Sequence, residues 1–166
     1  MNYSEIRKKI LSKASVLSDE RRKYLELSDE RKKYTEVSLK RLGIDSKSQF
    51  GKIYLTFNPS IFWDLGTPSY SELDSAYPAV LDGHPLPDPD QTISPIEGTY
   101  QFVRETWELP ENYIPFTSTE GEGCYLYDKE TEAVYDFDLA DWDKLMSGEL
   151  KPKWSDFYHF IDYYLS

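Results

Sequence analysis

Helix-breaking residues divide this chain in two. Residues 2–42 contain no glycine or proline and are rich in Lys, Arg, Glu and Leu, a composition that favours helix. Acids stand four residues before bases in Asp19/Lys23, Asp29/Lys33 and Glu36/Lys40, the better orientation for pairing along a helix. Gly43 supplies the stop, with Lys40 and Arg41 in the turn before it. By contrast, seven of the ten prolines fall between residues 58 and 95. Residues 82–90 carry prolines too closely spaced for helix or ladder pairing, so a loop is expected there, anchored to the core by Trp63 and Leu73.

The helical stretch contains a tandem repeat. Leu17-Ser-Asp-Glu-Arg-Arg-Lys-Tyr24 recurs ten residues later as Leu27-Ser-Asp-Glu-Arg-Lys-Lys-Tyr34. A ten-residue period falls short of three full helical turns, so the stripe Leu17, Tyr24, Leu27, Tyr34, Val37 slips around a straight helix by about 80° per repeat. Three resolutions are open: a helix bent around the body, a break near Ser28, or a duplication that lengthens a solvated helix. The third is the expectation, and with it that residues 42–166 fold without residues 1–30.

Charge follows the same division. Residues 1–52 hold 14 basic and 8 acidic residues, a net +6, whereas residues 53–166 hold 5 and 22, a net −17. Only 4 of the 26 aromatic residues precede Ile53. A basic helical arm (1–41) thus precedes an acidic, aromatic-rich body (42–166). An acidic body repels nucleic acid and draws in a basic partner. No apolar run is long enough to span a membrane, and the basic N-terminus lacks the apolar stretch of a secretory signal. The single cysteine, Cys124, excludes a disulfide framework within one chain and a zinc cage of thiolates. A reducing, cytoplasmic location is expected.

In the body, Phe50, Ile53, Tyr54 and Phe57 recur at helical spacing, and Asn58-Pro59 ends that helix. Ser94, Pro95 and Glu97 form a helix-start signature before Tyr100, Val103 and Trp107, although Gly98 leaves a strand over 99–107 open. Strands are expected over 113–117, 123–127 and 133–138, the last two joined by a hairpin. In the third strand Ala133, Tyr135 and Phe137 face one side, and Glu132, Val134, Asp136 and Asp138 the other. A final helix runs within 152–165, its aromatic face taken as core.

Chemistry-bearing patterns are few. His84 and His159 stand apart from any nucleophile elbow. Gly121-Glu-Gly123 is flanked by Glu120 and Glu122, which would repel a phosphate, and reads as a turn. Asp136, Asp138, Asp141 and Asp143 lack the glycine and distal glutamate of a calcium loop. Cys124, within a strand, reads as a small buried residue. No catalytic, cofactor or metal residue is therefore nominated. A run of carboxylates remains as the candidate partner-binding surface: Glu120, Glu122, Asp128, Glu130, Glu132, Asp136, Asp138, Asp141 and Asp143.

Several short motifs carry a family likeness. These are Leu42-Gly43-Ile44 with Phe50, Tyr54 and Phe57-Asn58; then Leu109-Pro110, Tyr113-Ile-Pro-Phe116, Gly121-Glu-Gly-Cys-Tyr-Leu-Tyr127 and Val134-Tyr135; and last Trp154-Ser-Asp-Phe157 through Phe160-Ile161. Over residues 42–166 the chain resembles the SUKH superfamily of Smi/Knr-like proteins. It departs from the family pattern at Asn58, which Pro59 follows where the family has glycine, and the arm has no matched counterpart. The resemblance implies an α+β fold, with a largely antiparallel sheet and flanking helices. It also implies a non-catalytic immunity protein that binds and neutralises a cognate toxin, with no cofactor, no membrane and no direct nucleic-acid contact. Alternatives are a regulatory interaction scaffold and an acidic nucleic-acid mimic that inhibits a nuclease.

Overall fold

The computed structural model describes residues 1–66 and 86–166, so Leu73 and His84 lie outside the described residues. The architecture is α+β: the described residues form eight α-helices and one three-stranded antiparallel sheet. The helices are α1 (Tyr3–Lys13), α2 (Asp19–Lys23), α3 (Asp29–Leu42), α4 (Gln49–Thr56), α5 (Pro59–Phe62), α6 (Pro95–Glu105), α7 (Trp142–Ser147) and α8 (Phe157–Tyr164). The strands are β1 (Tyr113–Pro115), β2 (Gly123–Asp128) and β3 (Val134–Asp138), in spatial order β1-β2-β3.

The repeat is a repeated helix start, which resolves its mismatch with the helical period. Ser18 caps α2 by accepting from the Arg21 amide, and Ser28 caps α3 by accepting from the Arg31 amide. The chain breaks between the two copies. Leu27 N–H donates to Thr56 O and Asn58 N–H to Leu25 O, tying this break to the end of α4. The expectation of a solvated extension is therefore corrected, and the break near Ser28 is what occurs. The copies end in different surroundings: Tyr24 is exposed, whereas Tyr34 is buried and its hydroxyl donates to Pro87 O.

Residues 1–30 are likewise part of the core. Ile6 and Ile10 are fully buried, and with Ala14 and Leu25 they join the main hydrophobic cluster. α1 packs on α8, where Tyr3 meets the Tyr158 ring and Lys9 pairs with Asp162. The larger hydrophobic cluster draws on both α1 and α8, because α1's apolar positions at i and i+4 need a partner and α8 provides it.

The sheet separates two clusters. On one face Ile114, Phe116, Tyr127 and Val134 join Phe50, Tyr54, Trp63, Phe157, Phe160 and Tyr164. Ring centroids there lie 4.9 Å apart for Phe50–Phe157, 5.2 Å for Phe116–Phe160 and 5.1 Å for Trp63–Tyr164. On the other face Cys124, Leu126 and Phe137 pack with Val103, Trp107, Leu109 and Leu145. Val134 is thus fully buried, where the alternation placed it on a polar face, because its face of the sheet packs into the main cluster and Trp154 pairs with it at the strand edge. Helix α6 begins as the sequence indicates, with Ser94 and Glu97 in a reciprocal capping box and Pro95 in the first turn. It ends at Glu105, so Trp107 lies beyond it.

Two glycines are required by geometry. Gly43 ends α3 in the left-handed region at φ 69°. Gly51 packs against the preceding turn so closely that a Cβ would lie 2.5 Å from Asp45 O.

The burial of α1 makes a direct prediction. Deleting residues 1–13 is expected to abolish the cooperative thermal transition. The milder Ile10→Ala change should lower stability in urea titration by about 2–5 kcal/mol. An unchanged melting midpoint in the truncated chain would return α1 to the surface.

Candidate functional site

The nominated carboxylates separate into two groups at opposite ends of the β2–β3 hairpin. β2 has six residues, so the two ends lie roughly 17 Å apart. Asp128, Glu130 and Glu132 occupy the turn end. Glu120, Glu122, Asp136, Asp138, Asp141 and Asp143 lie toward the other.

The turn-end group serves the fold. Asp128 is buried, and its Oδ1 accepts from Asn112 Nδ2 at 3.2 Å and from the Glu130 amide at 2.9 Å. Glu132 sits in the left-handed region at φ 68°, closing the hairpin where glycine is usual. Its Oε1 accepts from the Gln49 amide at 2.6 Å and from the Tyr127 hydroxyl at 3.2 Å, anchoring the first turn of α4. Lys129 Nζ donates to Leu42 O at the end of α3, a favourable place for a cation. Only Glu130 of this group is exposed and without an ion-pair partner among the described residues.

The opposite end is different. Gly121 and Glu122 turn the chain into β2 at φ 81° and 65°, and the Leu139 amide donates to Glu122 O at 2.8 Å. This contact brings Glu122 beside Asp138. Glu120, Asp136 and Asp138 line a cleft of about 280 Å³ with Gly123, Cys124 and Tyr125. Asp136 pairs with Lys153 at 3.3 Å, and Asp141 lies 3.9 Å from Lys144. Asp138 caps the following turn through the Ala140 amide at 2.8 Å. Glu120, Glu122, Asp138 and Asp143 are exposed and have no ion-pair partner among the described residues. Helix α7, which carries Asp143, was missed in sequence. Its six residues give too little periodicity, although Gly148 in the left-handed region marks its end.

These carboxylates do not converge on a point. Among the described residues no group of three or more His, Cys, Asp and Glu side chains could hold a metal ion. Cys124 lies at the cleft wall but is buried. Desolvation, reinforced by the nearby Asp136 charge, pushes its thiol up to about 12. His159 offers no relay either. Asp156 Oδ1 at 2.8 Å and Ser155 Oγ at 3.3 Å both approach the same ring nitrogen, Nδ1, whereas a nucleophile–base–orienter chain needs one partner on each nitrogen. The arrangement caps α8 instead. Partial burial raises the Asp156 carboxyl, but bonds from the His159 amide and ring outweigh it and hold the carboxyl below its ordinary value.

No family model, curated protein or solved structure matches this chain. No helix among the described residues is long and apolar enough to cross a membrane.

Two predictions separate structure from surface. Glu132→Gly and Glu122→Gly both place glycine at a left-handed position, which relieves the backbone. Glu122 has no side-chain partner, so its variant should be neutral or up to about 1 kcal/mol more stable in urea titration. Glu132→Gly should instead cost about 1–3 kcal/mol, because two bonded donors lose their acceptor. The second prediction concerns Cys124. With its thiol near 12, the thiolate is a minute fraction at pH 8 and rises only above that value. A chromogenic disulfide reagent should react with Cys124 only after unfolding by denaturant. Rapid labelling of the native chain would place the thiol in solvent.

Proposed function

We propose that this chain is a non-catalytic immunity protein that neutralises a basic protein toxin by direct contact. One observation supports the reading: the arm's cations that form ion pairs beyond the arm do so at the helical end of the molecule. Lys9 pairs with Asp162, Arg21 with Asp64 and Arg41 with Glu97. The sheet end, with Glu120, Glu122, Asp138 and Asp143, stays unneutralised among the described residues. A concentrated negative field of this kind steers a basic partner and keeps nucleic acid away. Toxin domains that cut nucleic acid are commonly basic, because their substrate is a polyanion. The SUKH-like motifs of residues 42–166 point to the same role, and a cytoplasmic location suits a protein that protects its own cell.

The test is association kinetics with the toxin captured by pull-down from the native cell, at low and high salt. The on-rate should fall about tenfold or more as salt rises, with the off-rate moving less. Combining Asp136→Asn with Asp138→Asn should reproduce much of that fall at low salt. An on-rate indifferent to salt and to both substitutions would overturn the electrostatic account. Absence of any complex would overturn the immunity reading.

A further inference from the structure

Strand β3 has an open edge, and the reason lies in the sequence. The pairing of Asp128 with Ala133 sets the hydrogen-bonding parity, so Tyr135 and Phe137 direct their backbone groups to β2 and Val134, Asp136 and Asp138 direct theirs away from it. Val134 is satisfied: its N–H donates to Trp154 O at 3.0 Å, and its carbonyl accepts from Lys153 and Trp154. Continuing that antiparallel bridge would set Pro152 opposite Asp136. Proline has no N–H to give, and the chain turns away there, with the Leu150 amide donating to Lys144 O. The Asp138 carbonyl opens the next helical turn. The Asp136 N–H, the Asp136 C=O and the Asp138 N–H are left without a partner among the described residues, on exposed residues.

The opposite edge of the sheet offers no free donor among the described residues. On β1 the outward-facing residues are Tyr113 and Pro115. The Tyr113 amide donates to Pro110 O, and Pro115 is buried and has no donor. Among the described residues of the sheet, only the β3 edge therefore presents both free donors and a free acceptor to another strand.

The geometry points to β3 as a docking edge for an extended, lysine-rich segment of the partner. This rests on the reading of the chain as a binder of a basic protein and names the surface that does the binding. Charge decides the occupant. A second copy pairing edge to edge would set its own Asp136 and Asp138 against these, and like charges directly opposed destabilise a strand pair. An alternating lysine segment would instead offer backbone bonds to Asp136 and Asp138. Its side chains on one face would reach the cleft lined by Glu120, Asp136 and Asp138. Gly123 lies opposite Asp138 in the register and leaves that cleft free of a side chain. The Lys153–Asp136 pair is half exposed and is readily exchanged for a partner's lysine.

The probe is a capped octapeptide of alternating lysine and valine, set against the same peptide with alternate backbone nitrogens methylated. Amide hydrogen exchange of the full chain should show protection of Asp136 and Asp138 of about tenfold or more with the first peptide. The amides of Tyr135 and Phe137, already bonded to β2, should not change. Methylation should weaken binding about tenfold or more, since it removes the donors and keeps the charge. Asp136→Pro, which deletes one outward N–H, should weaken binding more than Asp136→Asn, which deletes only charge. Its fold is checked by its melting curve, and the methylated peptide tests the same bond with the protein unaltered. Equal binding of the two peptides, no binding of either, unprotected Asp136 and Asp138 amides, or self-association of the chain through this edge would each overturn the inference. A salt-sensitive on-rate with the toxin alongside any of those results would leave the proposed function standing and move its interface elsewhere.

Discussion

Helix α8 carries more apolar surface than one neighbour can cover. Phe157 and Phe160 meet Phe116 beside the sheet, Tyr164 meets Trp63, and Tyr158 meets Tyr3 of α1. Phe157, Phe160 and Ile161 are completely buried. The last helix of the chain is therefore held by its first helix, by the α4–α5 region and by the sheet together. Two capping residues fix its approach: Asp156 accepts from the His159 amide, and Gln49 Oε1 accepts from the Tyr158 amide. Because α4 in turn receives Glu132 at its first turn, the hairpin, α4 and α8 share one set of constraints. Closing contacts between α1 and α8 costs loop-closure entropy, which grows only slowly with the length of chain enclosed.

Local signals were legible wherever one residue type does one job. Ser94, Pro95 and Glu97 announced α6, Gly43 announced the end of α3, and alternation with a short turn announced the β2–β3 hairpin. The repeat was visible but its meaning was hidden. Leu-Ser-Asp-Glu-Arg reads equally as a slice of helix or as a helix start, and only the tertiary bonds of Leu25, Leu27 and Asn58 decide between them. Burial of Ile6 and Ile10 could not be read either, since α1 is charged at most other positions and its partner lies more than 140 residues away.

The candidate site was legible as composition and not as geometry. Nine carboxylates in one stretch looked like one surface, but strand pairing sends them to two ends of a hairpin. Asp128 and Glu132 reveal their structural role only when Asn112 and Gln49 arrive from elsewhere in the sequence. Val134 shows the same limit from the apolar side. Its alternation with Asp136 and Asp138 holds, but the main hydrophobic cluster covers the start of that face.

The charge of this molecule is segregated by its fold. Lys9, Arg21 and Arg41 of the first 41 residues reach across to Asp162, Asp64 and Glu97, so these cross-chain ion pairs lie at the helical end. Carboxylates that the fold uses, Asp128 and Glu132, are satisfied by amides and a hydroxyl and do not need a cation. Those that remain stand where β3 loses its fourth strand at Pro152. Self-repulsion there opposes the compact state. An exposed strand edge also invites uncontrolled pairing, and charged residues on it are a common safeguard. At this edge the same two residues, Asp136 and Asp138, both discourage pairing with another copy of this chain and favour pairing with a cationic one. Any partner that binds only the folded chain also stabilises it by mass action. For a cationic partner of this kind, relief of the repulsion tolerated in the free protein would add to the driving force for binding.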